Sequence, residues 1–334
     1  MAVARKAPRS RRVLLQLLPA GLVVTVLLIF YSAIQLQLPT ETEVVPGREW
    51  EKLWKAPPTA AFCARQALPL VCAHGGDPQA APPNTLAAFR AAATARYGCI
   101  EVDVVLSADG VLVALHDREL QQLFRFSGID MPARTQVGDL TAEELSALEW
   151  ASGDHVMQAV DVIRAVQASV DVVILDVKTY NDHLGRALNE ELIAYHVVQL
   201  VEETRCRKCL VWAKSDAVVA RVNALLAGLS LPGVRTGHVV MNFTMEARQE
   251  GMDVPLRRGL KTNVAAVSHQ MVDRALLEKL HRADRSLYSW TADTPEVMQR
   301  LLDEGVDAIV TGRPKLLKRA IDLRAQRCAL KTEM

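Results

Sequence analysis

SLYSWTADTPEVMQRLLDEGVDAIVT, residues 286–311, carries a strand, a helix and a second strand in direct succession. Ser286 to Trp290 is short, apolar and aromatic, the character of a buried strand. Thr294 then stands as an N-cap and Pro295 at the first helical position, where a missing N–H costs nothing, and a helical pattern follows to Glu304. Asp307 to Val310 returns to strand character. Strand, helix and strand in this order form a parallel βα unit.

The same alternation runs back through the chain. Further strand-like runs lie at Leu70 to Ala73, Cys99 to Val104, Val172 to Val177, Cys209 to Ala213, Gly237 to Met241 and Val264 to Val267. Helical patterns separate most of them, at Thr85 to Ala95, Glu190 to Glu203, Asp216 to Leu226 and Asp273 to Arg282. Eight units across residues 70–320 match the roughly 250 residues of a (β/α)8 TIM barrel. An open doubly wound sheet is the structural rival, but no Gly-rich dinucleotide fingerprint follows the first strand.

Upstream of the barrel the chain changes character. Arg5, Lys6, Arg9, Arg11 and Arg12 precede a largely apolar run from Val13 to Ile34. At about 1.5 Å per residue that run reaches roughly 33 Å, enough to cross a bilayer core and too long for an ordinary signal-peptide core. An uncleaved signal anchor is favoured, with the N-terminus cytosolic and the barrel lumenal or extracellular. Cleavage near Ser32-Ala33 and an organelle transit role are the alternatives. The expected layout is a basic tail over 1–12, a transmembrane helix over 13–34, a linker over 35–67, the barrel over 68–325 and a tail over 326–334. Pro39, Pro46, Gly47, Pro57 and Pro58 discourage regular structure between 39 and 62.

Barrel active sites collect at the C-terminal ends of the strands, and His74, Glu101, Asp103, Asp176, Lys178, Lys214, Asn242, His269, Trp290 and Thr311 all fall at or near such ends. Within an extended strand, residues two apart share a face, so Glu101 and Asp103 aim at one spot while Val102 and Val104 face away. Two adjacent anions repel unless something positive sits between them, and a hard divalent cation held by oxygen ligands is the simplest answer. His74 and His116 bracket the pair with imidazoles that titrate near neutrality, which suits acid and base partners. Asp176 and Lys178 read alternatively as a local ion pair, and Trp290 as a core residue. His155, His183, His196, His238 and His281 have no such company and read as structural or surface residues.

These residues fall in an ordered pattern that resembles the glycerophosphodiester phosphodiesterases. That family's HRG, PENT, ExD, DG and HD signatures correspond to His74-Gly75-Gly76, Pro82-Pro83-Asn84-Thr85, Glu101-Val102-Asp103, Asp109-Gly110 and His116-Asp117. Its ExK strand corresponds to Asp176-Val177-Lys178, and its C-terminal segments to Trp290-Thr291, Gly305-Val306-Asp307, Thr311 and Pro314. Among subtypes the chain looks most like plant-type, membrane-anchored members with an HGGD start. The resemblance implies a (β/α)8 barrel that hydrolyses glycerophosphodiesters to sn-glycerol 3-phosphate and an alcohol. It further implies that Glu101, Asp103 and Asp176 hold Ca²⁺ or Mg²⁺, that His74 and His116 serve as base and acid, that Lys178 adds charge to the phosphate, and that Trp290 faces the glycerol.

Three departures stand out. Gly75 and Pro83 replace an Arg and a Glu, and Asp176 is one methylene shorter than the usual Glu. Dropping both Arg and Glu avoids an unpaired buried charge if the two ordinarily pair. The departures keep a second expectation open, a membrane-tethered barrel that binds phosphodiesters or lipid headgroups with weak or no turnover.

Composition narrows the partners. The 334 residues are 50% hydrophobic and 23% charged with net charge +1, and aromatic content is 5% with no basic stripe, so nucleic-acid binding is not expected. The expected partners are a small glycerophosphodiester and a membrane; protein partners are not legible. Six cysteines define no evident disulfide framework. Cys72 and Cys99 read as small core residues, and Cys206 to Cys209 as a local disulfide in a lumenal domain.

Overall fold

The computed structural model describes residues 48–332 apart from 117–119, 133–134, 180–189 and 230. The apolar run over 13–34, together with His183 and Asp117, lies outside the described residues. Among the described residues no helix is long and apolar enough to cross a membrane.

All eight expected strands form. They are β1 (Leu70–His74), β2 (Cys99–Leu106), β5 (Val172–Val177), β6 (Cys209–Ala213), β7 (Arg235–Val240), β8 (Val264–Ser268), β9 (Ser286–Trp290) and β10 (Ala308–Thr311). Each pairs in parallel with the next around the ring, and β1 pairs with both β2 and β10, which closes the barrel. Two strands were not expected, β3 (Leu112–Ala114) and β4 (Met157–Gln158), which extend β2 antiparallel beyond the barrel. They are too short to show a periodicity. Beside them Val105, Leu115, Leu123 and Phe124 build a small core of their own.

Strand alternation sorts the side chains into two layers. Ile100, Val102, Val173, Leu175 and Val211 face outward and pack against the helices, while Cys72, Ile174, Leu210, Trp212, Tyr288 and Val310 fill the barrel interior. Helix starts are capped by side chains: Thr294 Oγ1 accepts from Val297 N at 3.4 Å, as expected, and the structure adds Thr85 Oγ1 accepting from Ala88 N at 3.2 Å and Asp273 Oδ1 from Leu276 N at 2.7 Å. The helix Pro295–Glu304 has its expected bounds and ends at Gly305, whose φ of 90° is the left-handed conformation that glycine adopts without penalty.

Two sequence expectations need correction. Helices Arg48–Lys55 and Ala60–Cys63 form within the proline-punctuated stretch, because Trp50, Leu53, Trp54 and Phe62 bury against the main core and Pro57 and Pro58 fall between the helices. The six cysteines do form a framework, pairing as Cys63 with Cys328, Cys72 with Cys99 and Cys206 with Cys209, at Cα separations of 5.4, 4.3 and 5.4 Å. The first of these bonds joins residues 265 apart, a pairing that no local spacing reveals.

His238 and Val240 face outward on β7, and His238 is buried against Asp216 and Arg258. Its pKa is lowered to about 4, by burial first and the Arg258 guanidinium second, with Asp216 opposing. Between pH 6.5 and 4 the unfolded chain therefore takes up a proton that the folded chain refuses, so stability falls as pH drops through that window. Replacing His238 with Gln is expected to shrink the loss of unfolding free energy between pH 7 and pH 4 by about 2 kcal/mol, read from denaturant titrations at the two pH values. An unchanged acid limb would contradict this reading.

Candidate active site

Register brings the polar strand ends together. His74 lies beside Glu101 across β1 and β2, and Asp103 beside Asp176 across β2 and β5. With neighbouring strands about 4.8 Å apart, inward alternation leaves these side chains facing one space. One oxygen each from Glu101, Asp103 and Asp176 lies within 4.8 Å of the others. Glu101 and Asp103 are each only 1% exposed.

The surrounding groups hold the carboxylates in place. Gly75 N donates to Glu101 Oε2 at 2.8 Å. Asn84 Nδ2 donates to Asp103 Oδ2 at 2.7 Å, and Asp103 N returns a bond to Asn84 Oδ1 at 3.3 Å. Asn84 has a φ of 61°, a left-handed conformation that asparagine tolerates better than most residues. Lys178 Nζ sits 2.7 Å from Asp103 Oδ1 and also contacts Asp176 Oδ2. The local ion pair read from the sequence therefore forms, inside the cluster itself.

Three carboxylates face one ammonium, and the electrostatics register the shortfall. Burial, then Asp103 and Asp176, push the Glu101 pKa well above the usual carboxylate range, against Lys178 and the Gly75 N–H. Burial works in the same direction on Asp103, but Lys178, His116 and His74 outweigh it and hold that carboxyl below its ordinary value. Lys178 is raised, since Asp103, Asp176 and Glu101 together outweigh its burial. An all-oxygen donor set with this excess of negative charge fits a hard divalent cation such as Ca²⁺ or Mg²⁺.

A cavity of about 260 Å³ opens over the cluster, and its lining includes His74, Glu101, His116, Asp176, Lys178, Lys214 and Trp290. Asp103 is buried within the cluster beneath it. Asn242, His269 and Thr311, also strand-end residues, do not line it. Thr311 instead bonds Asp293, and the backbone carbonyls of Asn242 and His269 accept from Arg248 and Arg300. Trp290 is half-buried: its indole N–H donates to Ala266 O at 2.8 Å, and its ring forms part of the cavity wall. Trp212, Val239, Phe243, Thr291 and Val310 complete the wall. Sequence reasoning missed these five and the supporting Asn84. Trp212 was findable, two residues before Lys214 on the same strand face.

A larger cavity of about 470 Å³ lies at the N-terminal ends of the strands, beside Arg65, His281 and Asp307. Asp307 there pairs with Arg65 at 3.4 Å and with His281 at 2.9 Å, and Arg274 with Glu278 at 3.1 Å. His155, His196 and His238 line neither cavity.

Fold, cluster and cavity define a hydrolase-type barrel site, and comparison with known proteins gives it a family. Residues 74–316 match the glycerophosphoryl diester phosphodiesterase family, to which the chain belongs. It is thus a phosphoric diester hydrolase acting on glycerophosphodiesters. A glycerophosphodiester phosphodiesterase of Arabidopsis thaliana is 34% identical over 266 residues, covering 77% of this chain and 75% of that protein. One from Caldanaerobacter subterraneus is 25% identical over 257 residues, covering 74% and 96%. In structure the chain resembles a glycerophosphodiester phosphodiesterase from Parabacteroides distasonis, with TM-score 0.61 and 18% identity over 78% of this chain and 100% of that one. It also resembles an Oleispira antarctica phosphodiesterase solved with its product sn-glycerol 3-phosphate, with TM-score 0.58 and 20% identity over 76% and 97%.

The structure links the departures at 75 and 83 sterically. Gly75 has a φ of 64°, and a Cβ placed there would come within 2.8 Å of Pro83 Cβ and 3.3 Å of Asn84 N. Asn84 N also donates to Gly75 O at 2.8 Å, which holds the two segments together. An Arg at 75 therefore requires the 82–84 segment to retreat from β1. Gly75→Arg is expected to cost about 2 kcal/mol or more in denaturant unfolding, and Gly75→Arg combined with Pro83→Gly to cost less than the sum of the single changes. Strict additivity would contradict a steric link.

Proposed function

We propose that this chain hydrolyses glycerophosphodiesters to sn-glycerol 3-phosphate and an alcohol by metal-dependent acid/base chemistry. The observation that carries the reading is the convergence of Glu101, Asp103, Asp176, Lys178, His74 and His116 on one cavity at the strand ends. Glu101, Asp103 and Asp176 hold a divalent cation, Ca²⁺ or Mg²⁺. When bound, that ion offsets the phosphodiester charge and stabilises the negative charge that grows in the transition state. Of His74 and His116, one imidazole removes the proton from the attacking oxygen and the other protonates the departing alkoxide. Gly75 N–H and Asn84 keep Glu101 and Asp103 oriented, so the donor set is built before any ligand arrives. The Trp290 ring offers a flat face to the glycerol.

The same reading places the barrel on the lumenal or extracellular side of a membrane, anchored through residues 13–34. Three disulfides support an oxidising compartment. A headgroup-binding barrel with weak turnover is the competing reading, favoured by the missing Arg at position 75.

The two are separated by assaying the full-length chain in detergent for glycerol 3-phosphate release. Wild type is expected to turn over with Ca²⁺ or Mg²⁺ and to stop on chelation. His116→Ala is expected to lose about 10²-fold or more in kcat. Metal-independent release, or none from wild type, would defeat the hydrolytic mechanism.

A further inference from the structure

The site must grip a phosphate, yet the groups expected to do so are engaged or missing. Lys178, with a side chain only 13% exposed, is bound by Asp103 and Asp176. Gly75 has no side chain to offer, and Pro83 closes the space for one. Lysine and arginine line the cavity at just two described positions, Lys178 and Lys214.

Lys214 is differently situated. It follows β6 immediately and shares the inward face of Trp212, and both line the cavity. It is exposed, and its ammonium makes no hydrogen bond or ion pair with any described residue. Its backbone is held firmly all the same. The guanidinium of Arg258, 1% exposed, donates to the Lys214 carbonyl and pairs with Asp216 Oδ1 at 2.9 Å. Ser215 caps the helix Asp216–Ala227 by accepting from Val218 N at 3.2 Å. A flexible four-carbon arm with a point charge at its tip thus rises from a fixed base beside the acidic cluster.

We propose that Lys214 is a phosphate-binding cation of this site, so that grip on the phosphoryl oxygens comes from the end of β6 instead of from the residue after His74. The inference rests on the hydrolase reading for its substrate. Lys214 meets a non-bridging oxygen in both the diester and the glycerol 3-phosphate product, and the product dianion gains more from it than the diester monoanion. Arg258 acts through Lys214 as a positioning residue.

The test uses the full-length chain in detergent with Lys214→Met and Lys214→Arg. Calorimetry measures the affinity for sn-glycerol 3-phosphate, for inorganic phosphate and for Ca²⁺ alone, and glycerophosphocholine serves for kinetics. In Lys214→Met, glycerol 3-phosphate binding is expected to weaken about tenfold or more, the worth of one charge-assisted contact. The KM should rise in step, with Ca²⁺ affinity undiminished and the melting temperature unchanged. Lys214→Arg should recover most of the phosphate affinity. Glycerol 3-phosphate affinity within twofold of wild type in Lys214→Met would overturn the proposal, as would wild type that binds neither phosphate probe. Wild type that binds glycerol 3-phosphate without hydrolysing glycerophosphocholine or other glycerophosphodiesters would sink the hydrolase reading, and the binding comparison would still decide the role of Lys214.

Discussion

Three carboxylates packed around one ammonium at the mouth of a closed barrel is the constraint on which the rest of the site depends. Glu101 and Asp103 share a strand face, and the register of β2 with β5 adds Asp176 beside them. Isolated buried carboxylates are costly, so each is tied down, by Gly75 N–H, by Asn84 or by Lys178. These ties orient the oxygens without cancelling the charge. Burial, joined by the charges of Asp103 and Asp176, raises the Glu101 pKa, and the same crowding of carboxylates suits the cluster to a divalent cation.

The loops serve this cluster in different ways. After β1, the backbone of Gly75 approaches Pro83 so closely that the segment can deliver Asn84 to Asp103 and an N–H to Glu101, but no side chain at position 75. After β6, the buried Arg258 secures the backbone, and the Lys214 side chain is engaged by no described residue. Beyond β7, Phe243 stands 55% exposed with its ring edge-on to Trp290 at 6.1 Å, giving the cavity an aromatic flank. Polar chemistry and apolar wall are thus divided between strands of one ring.

Much of this was legible because it is local. Val172 to Val177 and Ser286 to Trp290 are strands on their own chemistry, Thr294-Pro295 starts a helix by capping and fixed φ, and the spacing of Glu101 and Asp103 puts them on one face. The remainder depends on contacts distant in sequence. The helix Arg48–Lys55 exists because Trp50, Leu53 and Trp54 find the core, which a count of prolines cannot foresee. Cys63 meets Cys328 only once the chain's ends are brought together. That Lys178 is held by Asp103 as well as by Asp176 follows from tertiary placement, as does the contact of Gly75 with Pro83.

The claim at the centre is that the acidic cluster is one cation short and that its own residues supply the binding site. Counting divalent ions bound per chain by calorimetry, in wild type and in Asp103→Asn, tests it most directly. Wild type is expected to hold one Ca²⁺ or Mg²⁺ tightly and the variant to lose at least about tenfold in affinity. A wild-type chain that binds neither ion, or a variant that binds as tightly as wild type, would contradict it.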